Sequence, residues 1–260
     1  MLRISSRNNV RLKEAERLLA SSRDRRKAGK CVLEGEHLIE VYADRYGAPE
    51  MLVVAESQLD RPGVQALVQR FDARALVVPE HLFKDLAVLP AGVGVLAVVA
   101  APAPGGSDDG AFCLLLDDVQ DPGNVGSMLR SGAAAGATHA CLSPHCAFAW
   151  SPKVLRAGMG AHFRLAIHEN VDLPDWSRRY RRQGGQVVAL VGAGGASLYA
   201  TPLRRPLALA IGNEGAGVSA ALLDAASDRV TIPMPGAVES LNAAAAAAIA
   251  LFECVRRDST

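Results

Sequence analysis

A continuous apolar run followed by a glycine-rich polar turn constrains the fold of this chain more than any other feature. Leu207–Ile211 is apolar throughout and ends at Gly212-Asn213-Glu214-Gly215. Apolar runs of strand length, without polar alternation, are typical of parallel strands that are buried on both faces of a sheet. The glycines allow a backbone to approach a ligand closely, and they permit a positive φ. The sequence therefore predicts an α/β fold with a candidate binding loop after this strand.

A second strand and a helix follow this loop. The strand is predicted at residues 229–232 and ends at Pro233-Met234-Pro235-Gly236, because proline lacks the backbone donor that a strand needs. Ser240 or Asn242 can then cap a helix predicted over residues 243–256. Ligands of open α/β sheets bind beyond the carboxyl ends of strands, which favours a site here. Two ordinary turns followed by an alanine-rich core helix are the alternative.

A similar block lies near the middle of the chain. An apolar strand predicted at residues 112–116 runs into Asp121-Pro122-Gly123-Asn124, and a helix is predicted over residues 124–135. Asn124 is interpreted either as a capping residue or as a site residue. Arg130 lies off the face of Asn124 but within reach of the same cleft. Because apolar and small residues flank Arg130, we favour a cleft position over a solvated surface charge.

Taken in order, these blocks resemble the three motifs of the SpoU branch of the SPOUT methyltransferases. The blocks are Asn124 with Arg130, residues 211–215 and residues 232–242, and residues 151–164 add a fourth. The resemblance implies transfer of a methyl group from S-adenosylmethionine to a ribose 2′-hydroxyl of rRNA or tRNA. It also implies a trefoil knot near the C-terminal end and a homodimer. The small side chains of the predicted last helix, which let another element approach closely, agree with a dimer.

The resemblance also implies roles for individual residues. The residues expected at the reacting groups are Asn124, Arg130, Glu214, Ser240 and Asn242. The residues expected to hold the cofactor, mostly through backbone groups, are Val191, Gly192, Ala193, Gly194, Ile211, Gly212, Asn213, Gly215, Ile232, Pro233, Met234, Leu241 and Ala243. Arg130 acts either as a base or as an electrostatic stabiliser of the developing alkoxide, and the sequence does not choose between the two. No metal is expected.

The first part of the chain is predicted to hold the RNA. The net charge is only +1, but residues 1–30 contain ten Lys or Arg against three acidic residues. Residues 21–30 are predicted to form a basic loop that contacts phosphates, although a solvated loop is the usual fate of a charge run. The residues expected to contact RNA are Arg23, Arg25, Arg26, Lys27, Lys30, Lys153 and Arg156.

The predicted organisation is two α/β domains joined by a Pro/Gly-rich linker. Residues 1–100 resemble the small substrate-binding domain of SpoU-type enzymes, which is similar to a ribosomal-protein fold, and residues 101–110 are the linker. In residues 111–260 strands alternate with helices, which predicts a mostly parallel sheet with helices on both faces.

Several other classes of protein fit the sequence less well. Residues 192–197 mimic a dinucleotide-binding loop, but the prolines that follow leave no long helix to face a phosphate. The spacing of His139, Cys141, His145 and Cys146 matches no standard zinc motif. An odd number of cysteines and the lack of a long apolar segment favour a cytoplasmic protein without a membrane span. An RNA-binding protein that retains a methyltransferase-like fold without turnover is the alternative function.

Overall fold

A computed structural model describes residues 1–86, 94–105, 111–236 and 240–258. Part of the predicted linker, residues 106–110, lies outside the described residues, as does Glu239 of the third motif. The strands are β1 (Leu2–Arg3), β2 (Lys30–Glu34), β3 (Met51–Ala55), β4 (Ala75–Val78), β5 (Val95–Ala100), β6 (Phe112–Leu116), β7 (His139–Leu142), β8 (Ala166–His168), β9 (Gln186–Leu190), β10 (Ala196–Ser197), β11 (Leu207–Ile211) and β12 (Asp228–Thr231). The helices are α1 (Val10–Ala20), α2 (Ser22–Ala28), α3 (Glu36–Tyr46), α4 (Pro62–Arg70), α5 (Glu80–Leu86), α6 (Pro122–Ala134), α7 (Pro152–Gly158), α8 (Leu173–Arg182), α9 (Ala220–Ala225) and α10 (Ala243–Asp258).

The chain forms two compact units. One consists of residues 1–102 and 150–163, and the other of residues 103–149 and 164–260. The predicted boundary at residue 111 puts residues 150–163 in the second domain, whereas in the structure they belong to the first unit. Their own packing explains this grouping, because α7 contacts β2 and the Phe163 ring meets that of Tyr42 edge-on at 5.4 Å.

The first unit contains a five-stranded mixed sheet with the strand order β1-β4-β3-β5-β2. The pairs of β4 with β1 and with β3 are parallel, and β5 runs antiparallel to both β3 and β2. Strands β3 and β4 are buried along their whole length, as their apolar sequences predict. This unit therefore combines a mixed sheet with α-helices.

The second unit contains a seven-stranded sheet with the order β10-β12-β9-β11-β6-β7-β8. Every pair of neighbouring strands is parallel. Helices cover both faces, because Cys113 and Leu115 of β6 belong to a cluster with α8 and α9, whereas Leu114 points to Gly132 of α6. The predicted parallel α/β sheet is confirmed.

The pairing of β6 with β11 brings two predicted loops together. Leu116 lies opposite Ile211 at the ends of these parallel strands, and the N–H of Asp117 donates to the Ile211 carbonyl at 2.9 Å. The loops that follow, residues 117–121 and 212–217, therefore leave the sheet side by side at its carboxyl edge. The strand order thus builds the candidate site.

The basic segment at residues 21–30 was predicted to be a loop, but most of it is helix. Ser21 caps α2, since its Oγ accepts from the N–H of Asp24 at 3.1 Å, and Gly29 ends the helix with a φ of 62°. A serine before and a glycine after a short charged run are helix-end signals. Of the positive charges in this segment, those of Arg23, Arg26 and Lys27 are therefore exposed on a helix surface.

The expected RNA contact by Arg25 is wrong. Arg25 is only 5% exposed, and its Nη1 donates to the carbonyls of Leu18 and Leu19 at 2.5 and 3.0 Å. The guanidinium thus satisfies the C-terminal carbonyls of α1, which have no partner within that helix. Burial is the main reason that the pKa of Arg25 is lowered.

Lys30 has two carboxylate partners, which makes it a weak candidate for a phosphate contact. Its Nζ lies 2.6 Å from Glu50 Oε2 and 2.9 Å from Glu14 Oε1. Hydrogen bonds to Glu50 and then to Glu14 raise the pKa of Lys30. Its charge is therefore already balanced within the first unit.

The C-terminal helix α10 is tied to a loop by an arginine and a buried glutamate. Arg257 donates to Glu253 Oε1 at 2.7 Å and to the carbonyls of Leu198, Tyr199 and Thr201 at 2.6–3.0 Å. Hydrogen bonding by Arg256, followed by that of Arg257, lowers the pKa of Glu253 to about 2 despite burial, which raises it. Glu253 therefore stays ionised in the fold and holds Arg257 in place.

Glu253→Gln should lower the free energy of unfolding at neutral pH, on the order of 1–3 kcal/mol, because it removes the charge from these hydrogen bonds. A carboxylate with a depressed pKa stabilises the fold above its unfolded pKa, and this contribution is lost as the pH falls. The difference from wild type should therefore disappear between about pH 4.5 and pH 2. Denaturant titrations at several pH values measure it, and Glu16→Gln at an exposed position of α1 is the control.

None of the described helices has the length and apolar character needed to cross a bilayer.

Candidate active site

A cavity of about 330 Å³ lies at the carboxyl edge of the second sheet. Its lining comes from the loops after β9, β11 and β12 and from the first residues of α10. The lining residues are Leu190, Val191, Gly192, Ile211, Gly212, Asn213, Glu214, Gly215, Ala216, Gly217, Ile232, Met234, Ser240, Leu241, Ala243 and Ala246. The three predicted cofactor loops therefore meet at one cavity.

The lining agrees with the predicted cofactor residues except at the edges of the loops. Ala193, Gly194 and Pro233 are not among the lining residues, whereas Leu190, Ala216, Gly217 and Ala246 are lining residues that the sequence analysis missed. Ala246 lies one helical turn after Asn242, so the capping signal and the helical period together could have found it.

The loop after β11 is a closed turn organised by Asn213. Asn213 and Gly217 exchange two backbone hydrogen bonds of 2.9 and 3.0 Å, and the Asn213 side-chain oxygen accepts from the N–H groups of Gly215 and Ala216. A Cβ at Gly212 would lie 2.1 Å from the backbone of Gly217. Glycine is needed at this position because two backbone segments touch, and φ is positive at Gly217 rather than at Gly212.

A hydrogen-bonded network joins the three motifs at the cavity. Asn124 Nδ2 donates to Glu214 Oε1 at 2.9 Å, and Asn242 Nδ2 donates to Asn124 Oδ1 at 3.0 Å. The Glu214 carboxylate also accepts from the backbone N–H groups of Gln120 and Asp121 at 3.4 and 3.2 Å. Asn124 thus links the other two motifs through the nitrogen and the oxygen of its side-chain amide.

Glu214 is held as a carboxylate by this network. Its partial burial raises the pKa, but the hydrogen bonds from Asn124 and from the backbone N–H groups outweigh this effect and lower it. Glu214 accepts these bonds at the first turn of α6, where the helix dipole favours a negative charge. This residue therefore connects the cavity wall to α6.

The structure decides two capping questions that the sequence left open. Asp121, not Asn124, caps α6, because its Oδ1 accepts from the N–H of Asn124 at 2.8 Å. Asn242 rather than Ser240 caps α10, since its Oδ1 accepts from Ala244 and Ala245 at 2.9 and 3.2 Å. Capping fixes the side chain of Asn242, so that its Nδ2 points to Asn124.

Comparison with known proteins gives a consistent result. Residues 111–252 match the model of the SpoU rRNA Methylase family. The 23S rRNA (guanosine(2553)-2′-O)-methyltransferase RlmP of Bacillus subtilis (strain 168) is 32% identical over 256 residues, which are 97% of this chain and 98% of that protein. This chain belongs to the SpoU family.

Two solved structures of methyltransferases have the same fold. AviRb from Streptomyces viridochromogenes, in complex with the cofactor AdoMet, has a TM-score of 0.85 and 28% identity, covering 97% of this chain and 99% of that one. An AdoMet-bound rRNA methyltransferase from Sinorhizobium meliloti has a TM-score of 0.82 and 27% identity, covering 98% and 97%.

Arg130, for which the sequence favoured a cleft position, is exposed on α6 and is not among the residues that line the cavity. It lies between the fully buried Leu129 and half-buried Ser131. Within the described ranges its side chain has no hydrogen-bond or ion-pair partner, and it does not line the cavity. Its five N–H donors are therefore available to a ligand.

The glycine-rich segment at residues 192–197 and the His/Cys group at residues 139–146 form neither a dinucleotide-binding loop with a following helix nor a cluster of metal ligands among the described residues. No helix follows the glycines at residues 192–195; β10 and turns occupy residues 196–206, as the prolines predicted. All five cysteines are free thiols, and Cys113 and Cys141 are buried in the sheet. In the part of the chain that the structure describes, no three His, Cys, Asp or Glu residues are grouped as metal ligands.

Proposed function

We propose that this chain transfers a methyl group from S-adenosylmethionine to a ribose 2′-hydroxyl of rRNA or tRNA. The observation that carries this proposal is the cavity whose lining loops are joined by the Glu214–Asn124–Asn242 network. The 23S rRNA methyltransferase among the relatives and the two AdoMet-bound neighbours support the same activity.

The chemistry of the cavity fits this cofactor. Among the described residues that line the cavity, Glu214 is the only ionisable one. Asn213 and Ser240 are polar, and the others supply backbone groups and apolar side chains such as that of Ile211. An adenosine with a positively charged sulfonium suits such a lining, whereas a dinucleotide brings phosphates that need cationic or amide donors. The volume lies near the lower end of the range of about 300–1,000 Å³ for small-molecule pockets.

Calorimetry tests the proposal directly. We expect saturable binding of S-adenosylmethionine and no saturable binding of NADH, since none of the lining residues that the structure describes has a basic side chain. Incubation with methyl-labelled S-adenosylmethionine and rRNA, followed by digestion to nucleosides, then detects the 2′-O-methyl product. Binding of NADH together with a failure to bind S-adenosylmethionine would contradict the proposal.

The reaction is a displacement at carbon, in which the cofactor supplies an activated methyl group. The chain must align the ribose hydroxyl with this methyl group and help it to lose its proton. The guanidinium of arginine stays charged in proteins and is a poor base. We assign Arg130 to the stabilisation of the developing alkoxide and to the adjacent phosphate, which can accept the proton. Ser240, Glu214, Asn124 and Asn242 would orient the reacting groups.

The cations that are free to meet RNA phosphates in the first unit differ from the expected set. Arg3 and Arg7 pair with Glu56 and Asp85, and Arg25 and Lys30 are used internally. Within the described ranges, the cations of α1 and α2 without a partner are Arg11, Lys13, Arg17, Arg23 and Lys27. Arg26 is exposed as well, and Lys153 and Arg156 are exposed on α7. We propose this α1–α2 surface, with α7, as the RNA-holding part of the substrate-binding domain.

The double variant Arg23→Ala/Lys27→Ala should weaken RNA binding and flatten its salt dependence. Each lost phosphate contact reduces the slope of log K against log salt concentration by roughly 0.7–0.9. The matched control is Arg3→Ala/Arg7→Ala, which removes the same charge from the same unit at residues that already have acidic partners. Equal slopes for both double variants would show that these cations do not contact RNA.

We also propose the knot and the homodimer that the SpoU motifs imply, and the cytoplasmic location that the cysteines favour. The exposed Ile249 and Phe252 on α10, at 36% and 49% exposure, support an apolar surface that a second copy can cover. Light scattering at micromolar concentration measures the dimer, and a monomer there would contradict it. The free cysteines are consistent with a reducing compartment.

A further inference from the structure

Asp118, in the loop after β6, has an unusual backbone conformation. Asp118 follows β6 and Asp117, and its φ is 55°. This left-handed region is unfavourable for residues with a side chain, although aspartate and asparagine tolerate it better than most. Such a conformation persists only where the surroundings hold it, and it often marks a functional position.

Ser143, which follows β7, forms hydrogen bonds with both the backbone and the side chain of Asp118. The Ser143 hydroxyl accepts from the N–H of Asp118 at 2.8 Å and donates to Asp118 Oδ1 at 2.5 Å. Ser143 is only 8% exposed, and its own N–H donates to the Leu116 carbonyl at 3.0 Å. One hydroxyl thus fixes the backbone and the side chain of Asp118 together.

The conformation of Asp118 directs its carbonyl to the turn that forms the cavity wall. This carbonyl accepts from Asn213 Nδ2 at 2.8 Å. The other end of the same amide, Asn213 Oδ1, accepts from Gly215 and Ala216, which line the cavity. A contact chain therefore runs from Ser143 through Asp118 and Asn213 to the cavity wall.

We propose that Ser143 and Asp118 are positioning residues that hold the 213–217 turn in its cofactor-binding shape. Neither residue lines the cavity, so their effect on binding passes through Asn213. The inference rests on the proposed function, because the ligand whose binding it describes is S-adenosylmethionine. The contribution of Asp118 is its backbone carbonyl, and the contribution of Ser143 is to keep that carbonyl aimed at Asn213.

Calorimetric titration of S-adenosylmethionine into the full-length variants tests this proposal. Ser143→Ala should raise the Kd roughly ten-fold, the equivalent of one hydrogen bond to the turn. Asp118→Gly should bind within about three-fold of wild type, because glycine adopts the positive φ freely and keeps the carbonyl. The double variant Ser143→Ala/Asp118→Gly should recover most of the affinity that Ser143→Ala loses.

Ser177→Ala is the matched control, since Ser177 is a fully buried serine of the same unit whose hydroxyl has no partner among the described residues. Its Kd should equal that of wild type. A Ser143→Ala variant that binds like wild type would overturn the proposal, as would a double variant that fails to recover. A ten-fold loss in Asp118→Gly alone would assign the effect to the carboxylate and would also overturn it.

Hydrogen exchange separates this inference from the proposed function. The N–H groups of Gly215 and Ala216 donate to Asn213, so their exchange without ligand reports the turn itself. Ser143→Ala should accelerate it, Ser177→Ala should not, and unchanged exchange in Ser143→Ala contradicts the inference. A wild-type protein that does not bind S-adenosylmethionine contradicts the proposed function, whereas this exchange difference still tests the positioning role.

Discussion

Arg130→Ala should lower the rate of methyl transfer by about 100- to 1,000-fold, the usual effect of removing one electrostatic donor to a transition state. Cofactor affinity and thermal stability should stay close to wild type. Arg130 is exposed, lies outside the cavity lining and has no side-chain partner within the described ranges, so its removal breaks no internal contact. Single-turnover rates at saturating RNA and cofactor, together with calorimetry and thermal unfolding, measure the three quantities.

Two further variants sharpen the Arg130 result. Arg130→Lys keeps the charge but loses the planar fork, so it should also be strongly impaired if two parallel hydrogen bonds to a phosphate matter. Arg182→Ala removes an equivalent charge from an exposed position of α8 and should leave the rate unchanged. A near wild-type rate for folded Arg130→Ala would refute the role assigned to this residue. A joint loss of stability and cofactor affinity would instead indicate a structural role.

Asn124→Asp should have the next largest effect, because it replaces a donor to Glu214 with a second negative charge. The Asn124 amide nitrogen lies 2.9 Å from Glu214 Oε1, so the introduced carboxylate would face an existing one. At this separation the repulsion is about 1–3 kcal/mol in partly exposed surroundings, which corresponds to roughly 5- to 150-fold in cofactor affinity. Calorimetry near pH 8, where both groups are ionised, should show the full effect.

The Asn124→Asp defect should respond to pH and to a second substitution. Repulsion between the carboxylates raises the pKa of the pair, so protonation of one group should reduce the defect as the pH falls toward 5. Glu214→Gln in the same chain should restore part of the affinity, because an amide can donate to the introduced carboxylate. Asn170→Asp, the same change at an exposed residue of the second unit, is the control. A defect that is independent of pH and is not rescued would refute repulsion as its cause.

The strands and loops that depend on local sequence signals could be predicted from the sequence. The uninterrupted apolar runs at β6 and β11 predicted buried parallel strands, and the glycines and prolines after β11 and β12 marked the loops that line the cavity. These features depend on residues that are near one another in the chain, where periodicity and turn chemistry act. The three motifs also indicated the family, and the match over residues 111–252 confirms it.

Other features depended on partners that are distant in the chain. Asn124 and Glu214 are 90 residues apart, and Asn124 and Asn242 are 118 apart. Their meeting follows from the strand order, which places β11 beside β6, and no local pattern specifies that order. For the same reason the sequence could not predict that Asn213 would hold the turn through the carbonyl of Asp118.

Two of the differences between prediction and structure in the first unit have a related physical cause. Arg25 resembles its basic neighbours in sequence, yet it is buried because the C-terminal carbonyls of α1 lie within reach of its guanidinium. Residues 150–163 follow the second sheet's β7 in the chain, yet they pack with β2. The sequence by itself determined which segments become strands, helices and glycine-rich loops, because those choices depend on neighbouring residues. Only the tertiary structure decided which charges stay free and which loops share a site, because burial and hydrogen bonding depend on residues brought together by folding.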